Sequence, residues 1–112
     1  MADDPDPMRD VIASMRADYA AKLPGKLDGI ERLWREIAEG RASVTAMEEL
    51  VRATHTLAGS GMVFGLPEVG AAARAVELYL DPFLASSSVP APDEGMRVAQ
   101  LLAALRRAGS TS

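Results

Sequence analysis

Thr54-His55-Thr56-Leu57-Ala58-Gly59-Ser60-Gly61-Met62-Val63-Phe64-Gly65 is the stretch on which the reading of this chain turns. It contains the only histidine of the 112 residues and lies at the late end of a segment with helical periodicity. At ~100° of turn per residue, Met47, Leu50, Thr54, Leu57 and Gly61 fall near one face, and His55 lies roughly 120° from its centre. Glu48, Arg52 and Gly59 share the histidine's side. The pattern predicts a helix that buries one stripe and holds the imidazole in water, flanked by charge and by a residue without a side chain. Gly59 and Gly61 each cost such a helix about 1 kcal/mol relative to alanine. Gly61 faces inward, where close packing is the better reason. Gly59 faces outward with His55, where a close approach by a partner is the better one.

Outward from this stretch, Thr45 and Glu48 fit a capping box at the start of the same helix. The helix should fray near Val63, because Gly65 and Pro67 follow. Pro67 and Glu68 suit the first turn of the next helix. Its inward stripe is Val69, Ala72, Ala73, Val76 and Leu80, and it should end near Asp81-Pro82. Leu84 to Pro92 is rich in Ser, Ala and Pro and reads as a loop. Asp93 and Glu94 open a last helix with Val98, Leu101, Leu102 and Leu105 inward.

Toward the N-terminus, Leu27, Ile30, Leu33, Trp34 and Ile37 form one apolar stripe, closed by Gly40 as a C-cap. Trp34, the single tryptophan, reads as core at this spacing. Asp6 and Pro7 read as an N-cap and first helical position. Met8, Val11, Ile12, Met15 and Tyr19 then repeat at helical spacing to about Lys22, before Pro24 and Gly25. The prolyl ring either starts a new helix or kinks a continuous one. No stretch alternates with period two. The expectation is an all-α chain: an antiparallel four-helix bundle with a short extra N-terminal helix, in one domain over residues 1–112, with loose ends at 1–6 and 109–112.

His55, Leu57, Gly59, Ser60, Gly61 and Gly65 resemble the signature of the histidine phosphotransfer (HPt) family. Ala72, Ala73, Val76 and Glu77 are similar to the family's small and acidic positions on the following helix. The family's lysine is replaced by Ala58. The resemblance is specific from His55 to Glu77 and implies a four-helix bundle in a two-component phosphorelay. It implies that His55 accepts a phosphoryl group, on the far ring nitrogen, from the aspartyl phosphate of a response-regulator receiver domain. That partner, which could belong to a hybrid histidine kinase, would supply the aspartate, the Mg²⁺ and most of the charge stabilisation. This chain would supply the imidazole and a docking surface, with Gly59, Arg52, Glu48, Met62 and Ala58 as candidates. Arg74 is the candidate cation for neutralising the phosphoryl group.

Composition bounds the alternatives. A net charge of −4 carries no footprint for nucleic acid or anionic membrane. Without cysteine there is no disulfide or thiol chemistry, and with one histidine no zinc site of the usual kind. The acidic first residues are no signal peptide, and no apolar run approaches a membrane span. A cytoplasmic monomer without a cofactor of its own is expected. The glycines are not spaced as G-x-G-x-x-G, a helix precedes them, and no P-loop lysine is present, so no ATP site is expected. Ser60 is no nucleophile for hydrolysis, and autonomous kinase or hydrolase activity is not expected.

Phosphoryl transfer demands positioning and charge stabilisation more than covalent machinery. An ordinary imidazole, with a pKa near ~6.5, is nucleophilic and largely neutral at neutral pH. The rival reading is a docking module that binds a receiver or kinase without carrying phosphate, which Ala58 favours. A helical oligomer with a structural role is the third.

Overall fold

The computed structural model describes residues 6–42 and 45–110. It contains four helices: α1 Pro7–Ala38, α2 Ala46–Val63, α3 Pro67–Ala85 and α4 Pro92–Ser110. They form an antiparallel bundle, in which α2 and α3 pack most extensively and α1 covers α2 and α4. Leu50, Leu80, Leu105, Val69, Val76, Val98 and Thr54 lie at its centre. Thr54 satisfies its hydroxyl there by donating to the Val51 carbonyl at 2.9 Å.

Local signals set most of the helix ends. The Asp6 carboxylate accepts from the amides of Met8 and Arg9, and Pro7 takes the first helical position. Gly40 and Gly65 adopt φ of +70° and +79°. Each closes its helix with paired backbone bonds, Arg41 N–H to Glu36 and Gly40 N–H to Ile37, then Leu66 N–H to Gly61 and Gly65 N–H to Met62.

The expected extra N-terminal helix is not a separate element. Residues 7–22 are the first half of a continuous α1, with Pro24 inside it. An interior proline costs about 3 kcal/mol. Leu23 and Leu27 on either side are buried, and each contributes roughly 1.5–3 kcal/mol. The packing therefore outweighs the break. The stripe of Met8, Val11, Ile12 and Met15 is exposed, because α1 projects past the bundle's end; Tyr19 is the first buried residue of α1. The projection accounts for an extent of 61 Å along the bundle against 23 and 20 Å across it.

Three further ends differ from the sequence expectation. Thr45 occupies the N-cap of α2 with a helical backbone, φ −85° and ψ −8°, and its side chain makes no capping bond. A capping side chain needs the extended backbone to reach the first amides. Helix α3 continues through Pro82 to Ala85, where Phe83 meets Tyr79 at 5.8 Å and Leu84 packs on the core. Helix α4 carries Gly109 and Ser110, with Gly109 close against Leu23 and Leu27, so these residues are not a loose tail. The other expected loose residues, 1–5 and 111–112, lie outside the described residues.

Candidate functional site

The helical azimuth of position 55 directs the imidazole outward, and its side chain is 67% exposed. Its Nδ1 lies 2.5 Å from Oε2 of Glu77 on α3. Glu77 is 6% exposed, so its carboxylate has left water and depends on its partners. The second partner is Arg74, whose Nη1 donates to Oε1 at 3.0 Å. A carboxylate only accepts, so the tautomer is assigned from its acceptor: Nδ1 carries the proton. In the neutral ring the lone pair then resides on Nε2, the nitrogen that Glu77 does not engage.

The register of α2 on α3 brings these residues together. A Cβ on Gly61 would lie 2.8 Å from the Gly70 nitrogen, so the two backbones meet there. His55 is six residues before Gly61 and Glu77 seven after Gly70, so both pairs belong to one antiparallel register. The inward packing reason expected for Gly61 is the one observed.

A groove of about 430 Å³ adjoins the imidazole, lined by His55, Ala58, Gly59, Met62, Ala71 and Arg74, with Gly70 at its base. Gly59 is exposed, with nothing within 4 Å of a Cβ placed on it, and Met62 is 61% exposed. Ala58 is not an exposed docking residue. It is buried against α3, and its carbonyl lies 2.9 Å from a Cβ placed on Gly70. Arg52 and Glu48 are exposed but line other grooves: Arg52 the one between α1 and α2, Glu48 the one at the far end of the bundle. Arg74 shares the histidine's groove and is tied to Glu77 rather than uncommitted. Ser60 bonds the buried Tyr19 hydroxyl at 2.7 Å, and Tyr19 stacks on Phe64; together they fasten α1 to α2.

Sequence reasoning picked out Glu77 as similar to the family's acidic position but did not pair it with His55. The signal was present in the near-equal spacing of the two residues about the Phe64–Leu66 turn. Among the described residues no cluster of His, Cys, Asp and Glu could hold a metal ion, and no helix is long and apolar enough to cross a membrane.

Neither a curated protein nor a solved structure matches the chain. The family model described as the Hpt domain matches residues 14–108, which include α2, α3, His55 and Glu77 and nearly all of α1 and α4. With an exposed, carboxylate-oriented histidine on the second helix of a four-helix bundle, the chain belongs to the Hpt domain family, the phosphotransfer modules of two-component signalling.

Proposed function

We propose that this chain is a phosphorelay carrier, in which Nε2 of His55 takes a phosphoryl group from the aspartyl phosphate of one receiver domain and passes it to another. The observation that supports this most is the exposed ring held at Nδ1 by a buried carboxylate. As Nε2 attacks phosphorus, the N–P bond forms and the acyl O–P bond of the aspartyl phosphate breaks. The partner's carboxylate leaves, and positive charge develops on a ring still protonated at Nδ1. Glu77 faces that charge and stabilises it without reorganising. The return step reverses these changes.

The partner's Mg²⁺ would neutralise the phosphoryl oxygens. Among the described residues Arg74 is the arginine or lysine that lines the same groove, since Ala58 offers no cation. Gly59 and Met62 border the imidazole where a receiver would close over it. A cytoplasmic monomer serving receivers, including that of a hybrid histidine kinase, fits the cysteine-free composition and the net charge.

The test is label transfer. A phosphorylated receiver should label the chain, and His55→Gln should abolish the label. A chain that binds a receiver and never takes label is instead a docking module.

A further inference from the structure

Met8, Val11, Ile12 and Met15 are each 41–65% exposed. The other large apolar side chains exposed among the described residues lie apart from them, at the end of α2, on α3, in the connection to α4 and on α4. Scattered positions of that kind are ordinary on a protein surface, whereas four in succession on one helix make an apolar face with nothing against it. The bundle ends beside Arg16. Its side chain lies over the α2–α3 turn, with Nε 3.2 Å from a Cβ placed on Gly65, and Tyr19 stacks on Phe64 one turn further on. Every residue of Pro7–Met15 is exposed, so this segment projects past that turn by ~13 Å at the ~1.5 Å rise of a helix.

The charges of the projecting segment complement a copy of itself. Asp6, Met8, Arg9, Ile12, Ala13 and Arg16 line one shallow groove along it, so Asp6 and Arg16 share a face, one at each end. Arg16 is exposed and joins no ion pair among the described residues. Asp6 spends Oδ1 on the helix cap and holds Oδ2 a loose 4.0 Å from Arg9. Consider a second copy laid antiparallel on the first, about a two-fold axis between positions 11 and 12. That one register sets Met8 against Met15, Val11 against Ile12, and Asp6 beside Arg16 at both ends, while Arg9 faces the uncharged Ala13 and Ser14. A parallel pairing sets Arg9 level with Arg9 and Arg16 level with Arg16, and crowds both bundles at one end.

We infer that the projecting segment of α1 pairs with the same segment of a second copy of this chain, antiparallel and isologous, burying Met8, Val11, Ile12 and Met15 of both. The flexible methionine side chains let the two stripes fill the seam without an exact fit. The segment is shorter than the roughly 20–30 residues a side of a standard stable interface. The pair is therefore weak and reversible, and the chain is a monomer when dilute. The antiparallel arrangement puts the two bundles at opposite ends of the joined helices. His55 stands ~12 Å along α2 from Val63, away from the joined segments, so the pair presents two phosphoryl acceptors. The inference goes beyond the carrier reading and does not depend on it.

The experiment uses the full chain, which has no cysteine of its own. Sedimentation equilibrium from about 10 μM to about 1 mM should show the average mass rising from one chain toward two. Ile12→Glu, with folding checked by circular dichroism, should stay a monomer throughout. Arg16→Glu sets like charges at both ends of the pair and should weaken it several-fold, with a loss that shrinks in high salt. Val11→Cys lies beside its own copy at the two-fold axis and should cross-link two chains under mild oxidation. Met8→Cys lies ~10 Å from its copy along the axis, beyond the ~7 Å between Cα atoms that a disulfide spans, and should not. Linking at Met8→Cys, or none at Val11→Cys, would overturn the antiparallel register. A mass that stays at one chain, or a dimer that Ile12→Glu leaves intact, would overturn the pairing itself. So would a chain that never pairs but loses receiver binding in Ile12→Glu, because the stripe would then belong to that partner. His55→Gln should pair like the wild type, and Ile12→Glu should take phosphoryl from the small donor phosphoramidate at the wild-type rate, so the pairing and the carrier reading fail separately.

Discussion

Gly61 and Gly70 meet backbone to backbone: a Cβ on Gly61 would stand 2.8 Å from the Gly70 nitrogen and 3.2 Å from the Leu66 carbonyl oxygen. Rigid backbone has little room to yield there, and the crossing sets the register that places Glu77 at His55. Gly61→Ala should therefore cost about 1–3 kcal/mol of overpacking, more than the ~1 kcal/mol gained in helix propensity. It should also slow labelling by separating α3 from the imidazole. Chemical denaturation and labelling rates check both, and a stabilised variant would refute the tight crossing.

Gly59→Ala, two residues away, should have the opposite sign. Its Cβ meets open space, so the helix should gain up to about 1 kcal/mol. A long side chain there, Gly59→Lys, should leave the fold intact and slow transfer from a receiver. Unchanged transfer would mean that no partner passes over this position.

His55→Gln should change stability by no more than about 0.5–1 kcal/mol, because the ring is exposed and glutamine can still donate to Glu77. Glu77→Gln should keep the fold and lower the labelling rate roughly ten- to a hundred-fold, since the carboxylate that orients the ring loses its charge. Nitrogen NMR of the neutral wild-type ring should find the proton on Nδ1. A proton on Nε2 would contradict the assigned tautomer.

Ala58→Lys would return a cation to the groove shared by His55 and Arg74. Ala58 borders α3, and a lysine stem leaning toward the helix N-terminus would leave along the groove toward the ring. An exposed charge interaction is worth ~0.2–1 kcal/mol, so label should shift from receiver to this chain by a few-fold at equilibrium. No shift would mean that Arg74 already serves, and a shift toward the receiver would refute the geometry.

Arg106 on α4 donates to both Asp28 and Glu31 on α1, with contacts of 2.6 Å to each. Its bonds to Glu31 and then Asp28 raise its pKa further above the ordinary arginine range. A raised pKa stabilises the fold below the unfolded value and loses that stability only as pH rises through the folded one. Its contribution should therefore show no loss from neutral pH to about pH 10. Arg106→Met should cost about 1 kcal/mol or less, and high salt should shrink the difference. Denaturation curves across pH and salt test both.

Much of this was legible in the residues. The apolar periodicity determined α2, α3, α4 and the second half of α1 with their inward faces, since azimuth along a helix is a local property, whereas the Met8–Met15 stripe, read as a separate helix, is the exposed start of α1. The same property put His55 outside, and the signature around it pointed to the family. Asp6-Pro7, Gly40 and Gly65 marked helix ends because caps act through residues within a turn of one another. Pro24 and Pro82 misled for the complementary reason: they too are local signals, and burial on either side of Pro24 outweighed the lost hydrogen bond. Only the tertiary structure decided that Glu77 holds Nδ1 and that Ala58 faces α3. These facts depend on how two helices cross at Gly61 and Gly70, and a shift of one turn, about 5.4 Å, would undo both while leaving each helix's own pattern, including the Arg74–Glu77 pair within α3, unchanged.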